Sequence, residues 1–339
     1  MLKTGGEPIA AGWRNAVKTR AMTAALNPTE IGLGAAQLGN LGRAVSDDDA
    51  RATVDAAWEL GVRYYDTAPH YGLGLSERRL GSALFGRPRD EYVLSTKVGR
   101  LLQPDPSGAD REDDDGFAVP ATFRRVWDFS RDGILRSIEE SLARLGTDRI
   151  DVAYLHDPDD HWEAASTTGV DALVELREQG VLGAIGAGMN QAAMLAEFVR
   201  RCDVDVVMVA GRYTLLDQSA AAELLPLALE RDVAVVAAAV YNSGLLSSNR
   251  PAAGARFDYR EADADVVARA RELADVCEGH GVSLPAAAIA FPLRHEAVCS
   301  VVVGVRSPAQ AASTIERYEA AAPEELWTEL AERGLIPND

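Results

Sequence analysis

The sequence predicts an α/β fold, a (β/α)8 TIM barrel, and three observations carry that prediction. Short apolar runs of strand length alternate with amphipathic helical stretches, the pattern of repeated βα units and a parallel sheet. About eight such units follow one another, which close a barrel more naturally than they extend an open sheet. The 339 residues, 47% hydrophobic and 25% charged, suffice for one large core and match the length of that fold with insertions.

Strands are expected at 31–33, 62–65, 92–96, 150–155, 184–186, 206–209, 233–237 and 301–303. The clearest helix has Ser130 as its N-cap, carries Ile134, Leu135, Ile138, Leu142 and Leu145 on one face, and stops at Gly146. Another spans 46–61, with Asp47, Asp48 and Asp49 in its first turn, where the helix dipole favours negative charge. Two segments break the rhythm, 101–129 and 247–263. Both follow strands, so both overhang the C-terminal mouth of a barrel as candidate lids. The acidic tract 110–115 reads equally well as a disordered surface loop.

One barrel domain is expected over 22–339, after a tail, 1–21. The tail carries Lys3, Arg14, Lys18 and Arg20 against Glu7 and lacks the apolar core of a signal peptide. A net charge of −18 and a pI near 4.7 argue against nucleic-acid partners, because phosphate binding needs a basic face. No apolar run approaches the roughly 20 residues of a membrane span. Cys202, Cys277 and Cys299 are widely spaced and form no paired-ligand pattern, so neither a disulfide framework nor a metal site is indicated and a reducing cytoplasm is expected.

Among 34 basic residues only Lys3, Lys18 and Lys97 are lysines. Lys97 ends the apolar run Tyr92-Val93-Leu94-Ser95-Thr96, where a charge needs a partner or a depressed pKa. Asp66, at the end of the preceding strand, lies on the same rim and can supply that partner. The turn Thr67-Ala68-Pro69-His70-Tyr71-Gly72 brings an aromatic hydroxyl back toward it. A phenol beside an ammonium is drawn from about 10 toward working pH and can exchange a proton with a substrate oxygen. His156 ends the next strand, so three consecutive strands deliver polar groups at one end, the active-face pattern of a barrel. His161, His280 and His295 read as structural. His70 and Trp127 are expected as pocket walls.

Other nucleotide motifs fail. Gly32-Leu33-Gly34-Ala35-Ala36-Gln37 lacks the third glycine of a dinucleotide fingerprint, and no lysine stands in a Walker A pattern or four residues after a tyrosine. A lone lysine at a barrel strand end also suits a Schiff-base aldolase, although a carboxylate partner would keep the amine charged.

The run from Asp66 to Gly72, with Lys97 and His156 after successive strands, resembles the catalytic tetrad of the aldo-keto reductase family over about 31–318. The strings at 71–81, 126–130 and 211–218 resemble the branch holding aldose 1-dehydrogenases, which act on sugars such as L-fucose, and pyridoxal 4-dehydrogenases. That resemblance implies an NAD- or NADP-dependent oxidoreductase converting the C1 hydroxyl of an aldose to a lactone, or reducing an aldehyde in reverse. It implies that Tyr71 exchanges the proton, Lys97 lowers its pKa, Asp66 pairs with Lys97, and His156 orients the reacting oxygen. A nicotinamide-binding regulatory barrel is the alternative that is not an enzyme.

On the cofactor side the resemblance implies contacts from Gly34, Asn190, Tyr213, Asn242, Ser243, Gly244, Leu245, Gly304, Arg306 and Gln310. Where the family carries Ser-Asn after the fifth strand, this chain has Gly188-Met189, with Asn190 displaced by one. Ala210 stands for the usual glutamine. Ala238 stands for the stacking aromatic, with Tyr241 or Tyr213 as substitutes. The turn at 304–310 would present backbone N–H groups to a phosphate. Arg306 favours NADP, but Ser313 and Thr314 replace the usual acid-amide pair, so NAD stays open.

Overall fold

The computed structural model describes residues 17–252, 254–258 and 260–337, so the expected tail lies outside the described residues up to residue 16. Eight parallel strands close a barrel: β1 (Ile31–Gly34), β2 (Tyr64–Asp66), β3 (Val93–Val98), β4 (Val152–His156), β5 (Ala184–Met189), β6 (Val206–Ala210), β7 (Ala234–Ala238) and β8 (Val298–Gly304). Each pairs with its sequence neighbours, and β8 returns to β1 with Gly34 opposite Gly304.

Alternation along each strand decides which side chains enter the barrel. Tyr64, Val93, Val152, Tyr154, Met208 and Val236 fill its interior, while Tyr65, Leu94, Leu155, Val207 and Val235 pack outward under the helices. On this parity Asp66, Lys97 and His156 also point inward, one layer nearer the C-terminal mouth. β8 differs most from expectation, beginning three residues early. Cys299 and Ser300 interrupt the apolar run, yet both are buried, and the Ser300 hydroxyl donates to the Thr29 carbonyl at 2.8 Å.

The helix from Ser130 keeps the caps read from the sequence, and the one expected at 46–61 is a little shorter, with Ser46 as its N-cap. The Ser46 hydroxyl accepts from Asp49 N–H at the start of α1 (Asp47–Glu59). Ser130 accepts from Gly133 N–H, and Gly146 takes φ +64 after the long helix Arg131–Leu145. Residues 17–21, expected as the end of the tail, form one arm of a hairpin: Thr19 bridges Thr29, and Met22 plugs the N-terminal end of the barrel. Val17 within that arm and Met22 just after it, both buried, account for this packing.

The first candidate lid contains an antiparallel ribbon, Arg100–Pro104 paired with Phe123–Trp127, so Trp127 lies in a strand rather than a free loop. The acidic tract is ordered, because Asp113 is buried in a bidentate pair with Arg125. The second carries a short ribbon, Arg256–Phe257 against Arg260–Glu261. Among the described residues no helix is long and apolar enough to cross a membrane, and no group of three or more His, Cys, Asp or Glu could hold a metal ion.

Candidate active site

The strand ends bring Asp66, Lys97 and His156 to one place, and the turn after β2 adds Tyr71. That turn is set by a close approach. Gly72 has φ +61, and a Cβ there would lie 2.2 Å from the Gly39 carbonyl oxygen, so only glycine fits after Tyr71. Lys97 Nζ donates to Asp66 Oδ2 at 2.7 Å and to the Thr67 carbonyl at 3.0 Å, with both charged groups buried. It also lies 4.8 Å from the centroid of the Tyr71 ring. Burial alone would lower the basicity of Lys97, but Asp66 and then Tyr71 outweigh it and raise the ammonium above its ordinary value. A lysine so firmly charged lacks the free amine that Schiff-base chemistry needs.

Tyr71 departs from the sequence expectation. Burial pushes its phenol up to about 12, against the downward pull of Lys97. The lysine acts in the expected direction, and desolvation is the larger effect.

Beneath the pair a chain of hydroxyls runs into the barrel. Ser95 Oγ is 2.7 Å from Asp66 Oδ1 and 3.2 Å from the Tyr64 hydroxyl, which is 3.1 Å from that of Tyr154. Ser95 donates to the carboxylate and is also placed as the donor toward the Tyr64 hydroxyl, so of the three hydroxyls only that of Ser95 bonds Asp66 directly and supports its charge.

Two imidazoles face the phenol. The His156 ring lies 6.0 Å from that of Tyr71 and 5.5 Å from that of His70, all edge to face. His156 Nδ1 is buried without a hydrogen bond, and Nε2 is 3.7 Å from Asp157 Oδ2. Burial, then Arg100 and Lys97, hold the His156 pKa well below the usual histidine range. Burial and then Arg125 depress that of His70 to about 2. Both rings are neutral in the folded protein. An unfolded histidine takes up its proton below about pH 6.5, so stability is full above that pH and falls as pH drops below it. Each ring contributes a slope of up to about 1.4 kcal/mol per pH unit. Urea unfolding from pH 7.5 to 5 is expected to show a flatter slope for His70→Asn by about that amount. Parallel curves for the two proteins would contradict a neutral His70.

Four residues of the site escaped the sequence reading: Arg100, Phe117, Arg125 and Asp157. Phe117 packs on His70 and Tyr71 at 5.2 and 6.1 Å between ring centroids. Arg100 donates to Asp157, next to His156, and Arg125 grips His70, next to Tyr71. The two arginines come from opposite strands of the lid ribbon. The acidic tract holds one of them, since Asp113 and Asp115 pair with Arg125. Trp127, 37% exposed, stacks on His161 and beneath Arg100, so His161 also lies at the mouth.

The expected cofactor residues divide. Asn190 Nδ2 donates to the Ala210 carbonyl at 2.8 Å and Asn242 Nδ2 to that of Gly211 at 3.4 Å, bringing the two amides together. Asn242 Oδ1 is buried without a partner, an acceptor that suits the N–H2 of a nicotinamide carboxamide. Asn242, Ser243 and Gly244 take φ of 46°, 58° and 97°, a strained turn of the kind found at ligand sites. Leu245 is buried in the core, so only its backbone can contribute. The ring of Tyr213 is buried and packs on Phe291 and His295, at 5.2 and 5.9 Å between centroids. Tyr241 is held by Arg317, which donates to its hydroxyl at 3.1 Å.

At the end of β8, Gln310 Oε1 accepts from Arg306 N–H, and Ser307 caps the helix Pro308–Glu319. Arg306 Nη2 donates to Gln37 Oε1 at 2.9 Å. Burial and the neighbouring Arg43 lower its pKa. Among the described residues neither guanidinium meets a carboxylate, an arrangement that fits a phosphate. Gly34 and Gly304 lie side by side beneath it.

A sequence model of the Aldo/keto reductase family matches residues 30–333. D-threo-aldose 1-dehydrogenase of a Pseudomonas species is 50% identical over 322 residues, 94% of this chain and 97% of that protein. Pyridoxal 4-dehydrogenase of Microbacterium luteolum is 42% identical over 328 residues, 92% of this chain and 95% of that protein. Among solved structures, the holo form of aldo-keto reductase AKR11C1 from Bacillus halodurans superposes with a TM-score of 0.73 at 27% identity, covering 94% of this chain and 96% of that one.

Proposed function

The chain belongs to the aldo/keto reductase family of nicotinamide-dependent oxidoreductases, and from that premise we propose that it oxidises the C1 hydroxyl of an aldose such as L-fucose to the lactone, with NADP preferred to NAD. The observation that carries the reading is the buried Lys97–Asp66 pair set against Tyr71 beside a neutral His156. When bound, the nicotinamide supplies the hydride acceptor. Tyr71 Oη takes the proton of the substrate hydroxyl, and Lys97 stabilises the phenolate that receives it. Asp66, backed by the Ser95 hydroxyl, keeps Lys97 charged and fixed. His156, neutral and desolvated, orients the reacting oxygen without competing for its proton. In reverse, the protonated Tyr71 donates to an aldehyde oxygen.

Asn190 and Asn242 are the residues we assign to the carboxamide, the turn at 242–245 to the pyrophosphate, and Arg43 with Arg306 to a 2′-phosphate. A cytoplasmic site of action is supported by the free thiols of Cys202, Cys277 and Cys299.

The test is growth of absorbance at 340 nm with NADP or NAD against L-fucose, D-arabinose, L-galactose and pyridoxal. Turnover of a sugar is expected, with kcat/KM about tenfold or more in favour of NADP, the worth of one charge-assisted phosphate contact, and with most of that preference lost in Arg306→Ala. Turnover of pyridoxal alone would replace the aldose. A flat trace with every sugar and with pyridoxal would remove the dehydrogenase direction.

A further inference from the structure

We propose that His70 is a substrate-binding residue that donates a hydrogen bond from Nε2 to a hydroxyl on the carbon next to the reacting one, and that Arg125 of the lid ribbon is the positioning residue that fixes its tautomer. The inference deepens the reading above and rests on it for the place of the reacting oxygen, between Tyr71 and His156.

The tautomer follows from one hydrogen bond. Arg125 Nε donates to His70 Nδ1 at 2.6 Å, and a guanidinium has no lone pair with which to accept. Nδ1 is therefore the bare nitrogen and Nε2 carries the proton. The same guanidinium donates from Nη2 to the His70 carbonyl at 3.1 Å, so ring and backbone are held by one group. Arg125 is itself fixed. Both Asp113 oxygens accept from it, at 2.5 and 2.9 Å, Asp115 lies at 2.8 Å, and the arginine side chain is 8% exposed. A ring clamped in this way presents a pre-oriented donor at little entropic cost.

The other nitrogen is unspent. No group among the described residues bonds to His70 Nε2, and the ring is only half-buried at the mouth. The ring lies 5.9 Å from that of Tyr71 and 5.5 Å from that of His156. An oxygen held by those two groups therefore has His70 as its next neighbour, one O–C–C–O span away. Phe117 packs edge to face on the imidazole at 5.2 Å between centroids and holds the ring in place. A neutral N–H donor recognises a hydroxyl without drawing in an anion, and its absence from the substrate leaves a desolvated donor unpaired.

The test uses the full chain and needs only the carbonyl reduction common to the family, so it does not depend on which sugar is oxidised. An α-hydroxyaldehyde and the plain aldehyde of the same carbon number are compared by kcat/KM. Wild type is expected to favour the hydroxylated substrate by about tenfold or more. That ratio is expected to fall toward unity in His70→Phe and to be partly kept in His70→Gln, which retains an N–H donor. In Arg125→Met the ratio falls while His70 remains, and Arg125→Lys, which retains a donor to Nδ1, recovers part of it. Nitrogen-15 NMR of histidine-labelled wild type reads the tautomer directly. A protonated Nε2 is expected, and a protonated Nδ1 would overturn the proposal, as would an unchanged ratio in His70→Phe. Loss of aldose oxidation alone, with the aldehyde ratio intact, would instead count against the sugar reading and leave the His70 assignment standing.

Discussion

Tyr71→Phe is expected to lower turnover by about 10²–10⁴-fold or more, the range assigned to a positioned acid or base, while cofactor affinity stays within a few fold. The substitution removes one oxygen and keeps the ring that packs on Phe117 and His156, so the fold loses little. It is the pH dependence of the parent enzyme that ties the loss to proton transfer. With the phenol raised to about 12, oxidation, which needs the phenolate, should accelerate about tenfold per pH unit through the alkaline range. Reduction, which needs the neutral phenol, should be flat from pH 6 to 9. Steady-state rates in both directions check this, with cofactor titration by protein fluorescence. A Phe variant that still turns over at the parent rate would take Tyr71 out of the chemistry.

Much of this site was legible because strand parity is a local property. Asp66, Lys97 and His156 end three successive apolar runs, and a period of two places each on the inner face once the strands are parallel. Lys97 stood out further as a lone lysine in a chain that otherwise uses arginine. The strand ends moved by one to three residues, since hydrogen bonding rather than apolarity decides where pairing starts. Ser300 belongs to β8 because Thr29 satisfies its hydroxyl, a contact 271 residues distant in sequence.

What the sequence hid was whatever depends on how the lid meets the barrel. Arg100, Phe117 and Arg125 reach the site from a long insertion whose path is fixed by tertiary pairs such as Arg125 with Asp113. The composition of 110–115 resembles a solvated loop, and only the buried guanidinium reveals that one of those aspartates is structural. The ionisation of Tyr71 was hidden for a related reason. Its charged neighbour could be inferred from spacing, but its desolvation is the sum of everything packed around it.

Lys97→Met carries the second large effect, and it divides into a catalytic and a structural part that can be read separately. The methionine fills nearly the same volume but leaves the Asp66 carboxylate buried with no counter-charge, a change that costs about 3–5 kcal/mol when one member of a buried pair is removed. The Ser95 hydroxyl still donates to Asp66, which places the loss toward the lower end of that range. Adding Asp66→Asn removes the orphaned charge, so the double variant is expected to recover most of the urea midpoint while remaining inactive. The catalytic part is a displacement of the pH profile. Lys97 is the main group pulling the Tyr71 phenol down, so its loss moves the alkaline limb of oxidation upward and drops the rate at any fixed pH below it. Purely structural damage would lower the amplitude at every pH and recover with the midpoint in the double variant. A limb that stays in place in Lys97→Met would show that the ammonium does not set the proton affinity of Tyr71.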